Sequence, residues 1–105
     1  MPVNYNVLIP AKIAENVRTV QYTATNVSAI IDKFTAMNTS AGTVTLSVYL
    51  GSGAPDLVVT KSLTAGQTYT FPEIVGHAIS KGGVIGTTAS LAGVVNIRSS
   101  GREIS

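Results

Sequence analysis

Hydrophobic and polar residues alternate most clearly between residues 43 and 50, where the sequence reads TVTLSVYL. The apolar positions are Val44, Leu46, Val48 and Leu50, and the positions between them are Thr43, Thr45, Ser47 and Tyr49. A period of two is typical of a β-strand that buries one face in a core. The opposite face of this strand carries hydroxyl groups and no charge.

Further extended segments follow the same pattern and are separated by residues typical of turns. We predict strands at residues 17–24, 30–38, 57–63, 68–71, 84–89 and 93–99, and the last can continue through 100–105. Residues 73–80 fit either a strand or one helical turn. Strict alternation in 30–38 places Phe34 and Ala36 on one face and Ile31, Thr35 and Met37 on the other. This spacing predicts an all-β sandwich or barrel of about eight strands, with little or no helix.

The first fourteen residues, MPVNYNVLIPAKIA, differ from the rest because they contain two prolines and one short apolar run. We interpret residues 1–14 as an edge strand or a loosely packed terminal segment. The second interpretation is an arm that reaches a neighbouring subunit. Residues 15–105 are then a single β-sandwich domain, as expected for a chain of 105 residues.

Charge is scarce, since 11% of the residues are charged against about 25% in ordinary soluble domains. The seven basic residues are dispersed, which argues against a nucleic-acid partner. No apolar run approaches the roughly 18 residues of a membrane span, so we expect no membrane partner. The first residues lack the pattern of a signal peptide, and we expect synthesis in the host cytoplasm. There is no cysteine, so no disulfide supports the fold.

Residue patterns that carry catalysis are missing from the sequence. The single histidine, His77, has no adjacent acidic residue, and no G-x-S-x-G motif occurs. The five acidic residues lie far apart in the sequence: Glu15, Asp32, Asp56, Glu73 and Glu103. The glycine-rich segment KGGVIG does not have the form of a phosphate-binding loop. We therefore predict a protein that is not an enzyme, with no catalytic, cofactor-binding or metal-binding residues and no cofactor.

The hydroxyl face of segment 43–50 suggests a covered surface. A charged side chain that another protein covers must be desolvated, which is costly, whereas a hydroxyl group needs only a hydrogen bond. The composition therefore favours a domain whose outer surface is partly covered in a larger assembly. The alternative is a free Thr-rich sandwich, because threonine also suits exposed strands.

Four short motifs make the chain similar to small phage structural proteins of the head-decoration or cement type. They are Asn38-Thr39-Ser40, the strand Val44 to Leu50, Ala65-Gly66-Gln67-Thr68, and Ser100-Gly101-Arg102-Glu103-Ile104. The resemblance implies an antiparallel, jelly-roll-like β-sandwich that decorates a capsid or belongs to a tail or fibre. One departure is Gly83, which stands where an acidic residue commonly follows the glycine in that group.

These observations favour a non-enzymatic bacteriophage structural protein on the capsid surface of the virion. It would bind across neighbouring subunits of the major capsid protein and form a homo-dimer or homo-trimer in the shell. The alternative is a tail-fibre or baseplate module that binds host polysaccharide in a pocket of tyrosine, aspartate and asparagine. We expect the contacts in the first segment, in one loop and near the end of the sequence. These residues are Pro2, Val3, Asn4, Tyr5, Lys12, Gly51, Ser52, Gly53, Ala54, Pro55, Asp56, Arg98, Arg102 and Glu103.

Overall fold

Nine β-strands build the part of the chain that the computed structural model describes, residues 3–51 and 56–105. The strands are β1 (Val3–Ile13), β2 (Thr19–Thr23), β3 (Ser28–Asn38), β4 (Val44–Gly51), β5 (Leu57–Leu63), β6 (Thr68–Tyr69), β7 (Ala78–Ile79), β8 (Val84–Ala89) and β9 (Val95–Ile104). No helix occurs among these residues. The predicted all-β class is confirmed, and the predicted segments 57–63 and 84–89 coincide with β5 and β8.

The strands form two antiparallel sheets that enclose one core. Sheet I has the order β1-β9-β3-β6, with β7 also paired to β3, and sheet II has the order β2-β8-β4-β5. Every connection crosses between the sheets except β4–β5 and β6–β7. Each sheet therefore joins strands from early and late in the chain. In sheet I, β1 lies beside β9.

The core lies between the sheets and is made of the inward-facing residues of both. In β4 the alternation is as predicted, since Val44, Leu46 and Val48 are buried and the residues between them are not. Phe34 of β3 meets Phe71 edge to face, with ring centroids 5.2 Å apart. Aromatic pairs in this arrangement stabilise a core beyond the area that they bury.

A β-bulge in β3 changes which side chains enter the core. The register between β3 and β9 shifts between Ile31 and Lys33, which leaves Asp32 as the extra residue. The bulge returns Ile31 to the inner face, so Ile31 and Phe34 are both fully buried. The prediction that Ile31 lies on the opposite face from Phe34 is therefore wrong, because it assumed an uninterrupted alternation.

Residues 73–80 contain tight turns followed by the short strand β7. The N–H of Ile74 donates to the carbonyl oxygen of Phe71 at 3.2 Å, and the N–H of His77 donates to that of Ile74 at 3.2 Å. These turns bury Ile74 in the core. The segment thus covers one end of the sandwich before the chain enters β8.

Candidate interaction surfaces

Pairing of β1 with β9 brings two of the predicted contact segments together. In the register, Tyr5 lies opposite Arg102 and Asn4 lies opposite Glu103. Residues directly opposite each other in an antiparallel pair share a face of the sheet. Val3, Tyr5 and Val7 are 49%, 79% and 46% exposed and form an apolar row on the outer face of sheet I. We call these three residues the apolar edge row.

Among the described strands, β1 lies at the edge of sheet I and pairs with β9. The second half of β1 is irregular, because its register against β9 shifts between Val7 and Ile9 and again between Ile9 and Lys12. Pro10 lies within the second of these shifts. Bulges, proline and lysine are devices that keep other strands from pairing with an edge. From Val3 to Val7 the strand contains no bulge, proline or lysine, so this half is the more accessible edge for another chain.

Two charged residues predicted as contacts, Arg102 and Glu103, are already engaged within the chain. The Arg102 Nε lies 3.2 and 3.1 Å from the two carboxylate oxygens of Asp32, and Nη2 lies 2.9 Å from Oδ1. Glu103 accepts hydrogen bonds from the Tyr22 hydroxyl at 2.5 Å and from the Asn6 amide at 2.5 Å. Burial, and then the hydrogen bond to Glu103, raises the pKa of Tyr22 well above its usual range.

The outer face of sheet II carries an array of hydroxyl groups, which we call the hydroxyl face. It spans β5, β4, β8 and the residue after β8, and it consists of Thr60, Ser62, Thr45, Ser47, Thr88 and Ser90. The hydroxyl oxygens of Ser47 and Thr60 are 3.2 Å apart, and those of Thr45 and Ser62 are 3.5 Å apart. The Ser90 hydroxyl accepts a hydrogen bond from the Thr45 N–H at 2.9 Å. Sequence analysis identified the β4 members of this face, and the register adds those of β5 and β8.

A cluster around Arg18 occupies the rest of the outer face of sheet II. The Arg18 guanidinium carbon lies 4.3 Å from the centroid of the Tyr49 ring, a cation–π geometry, and the guanidinium also forms an ion pair with Asp56. A Cβ at Gly86 would lie 3.9 Å from Arg18 Nε and 3.6 Å from Tyr49 Cβ, which are ordinary contact distances, so the cluster does not depend on this glycine. The sequence pattern did not predict a role for Arg18.

The remaining predicted contact residues are distributed over both sheets. Lys12 forms an ion pair with Glu15 at 3.2 Å. Hydrogen bonding from Gln21, and then from Lys12, lowers the pKa of Glu15 despite an opposing effect of burial. Gly51 ends β4, and Arg98 projects from the outer face of β9 between the buried Ile97 and Ser99. Pro2 and the loop residues Ser52, Gly53, Ala54 and Pro55 lie outside the described residues.

No catalytic arrangement is evident among residues 3–51 and 56–105. No group of three or more histidine, aspartate or glutamate residues in these ranges could hold a metal ion. His77 lies in a cleft of about 400 Å³ at one end of the sandwich, together with Asp56, Ser80 and Lys81. Asp56 is directed to Arg18 in its ion pair.

The polysaccharide alternative predicted a pocket with converging tyrosine, aspartate and asparagine. The cleft beside His77 contains Asp56 but neither tyrosine nor asparagine. A second cleft, on sheet I, contains none of the three. Neither cleft therefore has the predicted character. In the described part of the chain, no helix is long and apolar enough to cross a membrane.

No family model matches the chain, and no curated protein matches it. Among solved structures, the chain is similar to one of Bacillus endospore appendages, a family of disulfide-linked pili, with 13% identity and a TM-score of 0.56 over 98% of this chain and 88% of that chain. It is also similar to a structure of the Gx strain of infectious bursal disease virus, with 17% identity and a TM-score of 0.47 over 98% of this chain. It spans 32% of that viral chain. The likeness to the appendage protein shows a common fold.

Proposed function

We propose that this chain is a non-enzymatic structural protein of a bacteriophage virion, and specifically a capsid decoration or cement protein. It would be synthesised in the host cytoplasm and would bind across neighbouring subunits of the major capsid protein at the capsid surface. Copies would also meet one another in the shell as dimers or trimers. Stabilisation would follow from mass action, because a ligand that binds only the assembled state lowers the free energy of that state.

The hydroxyl face is the observation that carries this proposal. Five of its six hydroxyl residues lie on three strands of sheet II, and two pairs of their hydroxyl oxygens are 3.2 and 3.5 Å apart. The Thr88 hydroxyl has no hydrogen-bond partner within the described residues. Hydroxyl groups that satisfy one another can be covered by a protein at a smaller desolvation cost than charged groups can. A face of this size without a charged residue is a poor surface for a free soluble monomer. The face therefore supports a role in which a neighbouring protein covers it.

The apolar edge row supports the same role from the other sheet. Tyrosine and apolar residues are enriched in the centres of protein interfaces, and Tyr5 is the most exposed large hydrophobic side chain described. The sequence contains no cysteine, so no disulfide would join this chain to its neighbours in an assembly. Many modest contacts, repeated over a shell, would then supply the stabilisation.

The test is co-sedimentation of the purified chain with empty expanded capsids of the virus whose genome encodes it. Thr45→Asp places a charge in the centre of the hydroxyl face and should leave the domain folded but lower shell binding. Thr25→Asp is the matched control, because Thr25 is exposed outside the strands and the charge change is the same. Failure of the wild-type chain to sediment with shells would refute the decoration role. Equal binding of the two variants would refute the covered hydroxyl face.

A further inference from the structure

Two basic residues on neighbouring strands of sheet I, Lys33 and Arg98, face outward in a diagonal arrangement. Lys33 of β3 lies opposite Ser100 of β9, and Thr35 lies opposite Arg98. The four side chains line a cleft of about 350 Å³, which we call the basic cleft. Lys33 and Arg98 are exposed, and the two hydroxyl residues are half-buried.

Among the described residues, none of the five acidic side chains forms an ion pair with the basic cleft. Each one has its own partner: Glu15 with Lys12, Asp32 with Arg102, Asp56 with Arg18, Glu73 with the Tyr69 hydroxyl at 2.6 Å, and Glu103 with Tyr22 and Asn6. Neither Lys33 nor Arg98 takes part in an ion pair among the described residues. The three ion pairs leave four basic residues, Lys33, Lys61, Lys81 and Arg98, and two of these four lie together in the basic cleft.

The donors in the basic cleft suit an oxyanion. A guanidinium group offers a planar fork of N–H donors, an ammonium group offers three rotatable donors, and the two hydroxyls can donate as well. Charge-assisted hydrogen bonds from such groups to a carboxylate or phosphate are about twice as strong as neutral ones. Two like charges on the same sheet face also repel each other, so a bound anion relieves an unfavourable interaction.

The surroundings of the basic cleft favour a carboxylate on a protein over a free anion. Backbone N–H groups lie in the plane of a sheet, so this face offers none of the convergent backbone donors that build phosphate sites. Val7 lies opposite Ser100 on the same face, and Tyr5 lies one row further along beside Arg102. An apolar flank next to unpaired cations is the composition of a protein-binding surface, where the apolar contact anchors the partner and the charges orient it.

We propose that the basic cleft and the adjoining apolar edge row bind an acidic surface of a partner protein, with side-chain carboxylates of the partner between Lys33 and Arg98. This inference rests on the proposed structural role and identifies the chemistry of the neighbouring subunit. We assign a different protein as the partner, because three of the five carboxylates of this chain already pair with its own cations, and the other two, Glu73 and Glu103, already accept hydrogen bonds within the chain.

The experiment is a titration of the isotope-labelled chain with an amidated hexaglutamate peptide, followed by the backbone amide signals in NMR. We expect saturable shifts centred on Lys33, Thr35, Arg98 and Ser100. The double variant Lys33→Glu with Arg98→Glu should bind the peptide at least about tenfold more weakly. The matched control is Lys61→Glu with Lys81→Glu, which changes the net charge equally at two other lysines without an ion pair in the described ranges. This control should retain most of the affinity, and thermal melts verify that both variants fold.

Three results would overturn the proposal. The first is the absence of saturable shifts, and the second is an equal loss of affinity in the two double variants, which would indicate unspecific attraction. The third is inorganic phosphate binding in the cleft as tightly as the peptide at equal ionic strength, which would assign the cleft to a free anion. The titration needs no capsids. A chain that sediments with shells but ignores the peptide would refute only the basic cleft, and the reverse outcome would refute only the decoration role.

Discussion

Asn38 shows how one buried polar side chain joins two turns of this sandwich. Its side-chain amide donates to the carbonyl oxygens of Gly42 at 2.7 Å, Leu63 at 2.9 Å and Thr64 at 3.2 Å. Its side-chain oxygen accepts from the N–H of Ser40 at 2.9 Å. The residue is fully buried, so these bonds replace the water that its polar atoms lose on folding. Asn38 therefore links the turn after β3 to the end of β5.

Replacing Asn38 should destabilise the fold. Asn38→Ala removes the donor from three carbonyl oxygens near the core, and we expect a loss of about 2 to 3 kcal/mol in the free energy of unfolding. Asn38→Asp should cost more, because a carboxylate of nearly the same shape faces those carbonyl oxygens without a proton to donate. Urea denaturation measures both, with Asn96→Ala on the exposed face of β9 as the control. A change below about 0.5 kcal/mol in Asn38→Ala would contradict this role.

The bond between Tyr22 and Glu103 gives stability a dependence on alkaline pH. Because burial and Glu103 raise the pKa of Tyr22 in the folded state, the unfolded chain loses this proton first as the pH rises past about 10. The contribution of Tyr22 is therefore complete below pH 10 and is lost progressively above it. Tyr22→Phe should lower the free energy of unfolding by about 1 kcal/mol at neutral pH. Between about pH 10 and 11.5, the free energy of unfolding of this variant should fall less than that of the wild type.

Denaturation curves at several pH values test this expectation. Tyr69→Phe serves as the comparison, because the hydrogen bond to Glu73 also raises the pKa of Tyr69 but at an exposed position. In Tyr69→Phe, the free energy of unfolding should still fall above about pH 10 by the amount that Tyr22 contributes. An identical decline in Tyr22→Phe and the wild type would show that the Tyr22 proton does not contribute.

At the scale of elements, a glycine of β9 allows close contact with the strands on both sides of it, β1 and β3. A Cβ at Gly101 would clash with the backbone oxygen of Ile30 and would lie 2.9 Å from Leu8 Cδ1. Leu8 enters the core where β1 shifts its register against β9, and the bulge of β3 lies beside the same point. Three strands thus approach each other more closely at Gly101 than a side chain allows.

Gly101→Ala should consequently destabilise the domain, by about 2 kcal/mol or more, because the obstruction includes backbone that cannot move aside. Gly42→Ala is the matched control, since a Cβ there meets nothing within 4 Å and should leave the stability nearly unchanged. Thermal unfolding of the two variants gives the comparison. Equal melting temperatures would mean that β9 can shift to accommodate the methyl group.

Sequence patterns predicted those elements whose structure is locally regular. The alternation in β4 identified its buried residues because that strand runs without a bulge until its last residues. The same argument failed at Ile31, because a bulge is set by the pairing of β3 with β9 and not by the local sequence. The basic cleft was also not predicted, since Lys33 and Arg98 are 65 positions apart and only the register of β3 against β9 makes them neighbours.

At the scale of the whole molecule, the two outer faces of the sandwich differ in chemistry. Sheet II presents the hydroxyl face beside Arg18, whose charge is paired with Asp56, and sheet I presents the unpaired cations of the basic cleft with the apolar edge row. Contacts through hydroxyl groups depend little on ionic strength, whereas contacts through exposed charges are screened by salt. If the molecule binds a shell through both faces, the salt dependence of its affinity should therefore come from the basic cleft of sheet I and not from the hydroxyl face.

Salt can separate the two faces in the shell-binding assay. Between about 0.05 and 0.5 M NaCl the Debye length falls from roughly 14 to 4 Å, so wild-type binding should weaken as the attraction between the basic cleft and acidic groups is screened. Lys33→Glu with Arg98→Glu should bind weakly at low salt and should not weaken further as salt is added. Thr45→Met adds bulk to the hydroxyl face without changing the charge, so it should lower affinity at every salt concentration and keep the wild-type slope. If Thr45→Met removes the salt dependence, or if the double charge variant keeps it, the two faces do not have the separate roles that their chemistry indicates.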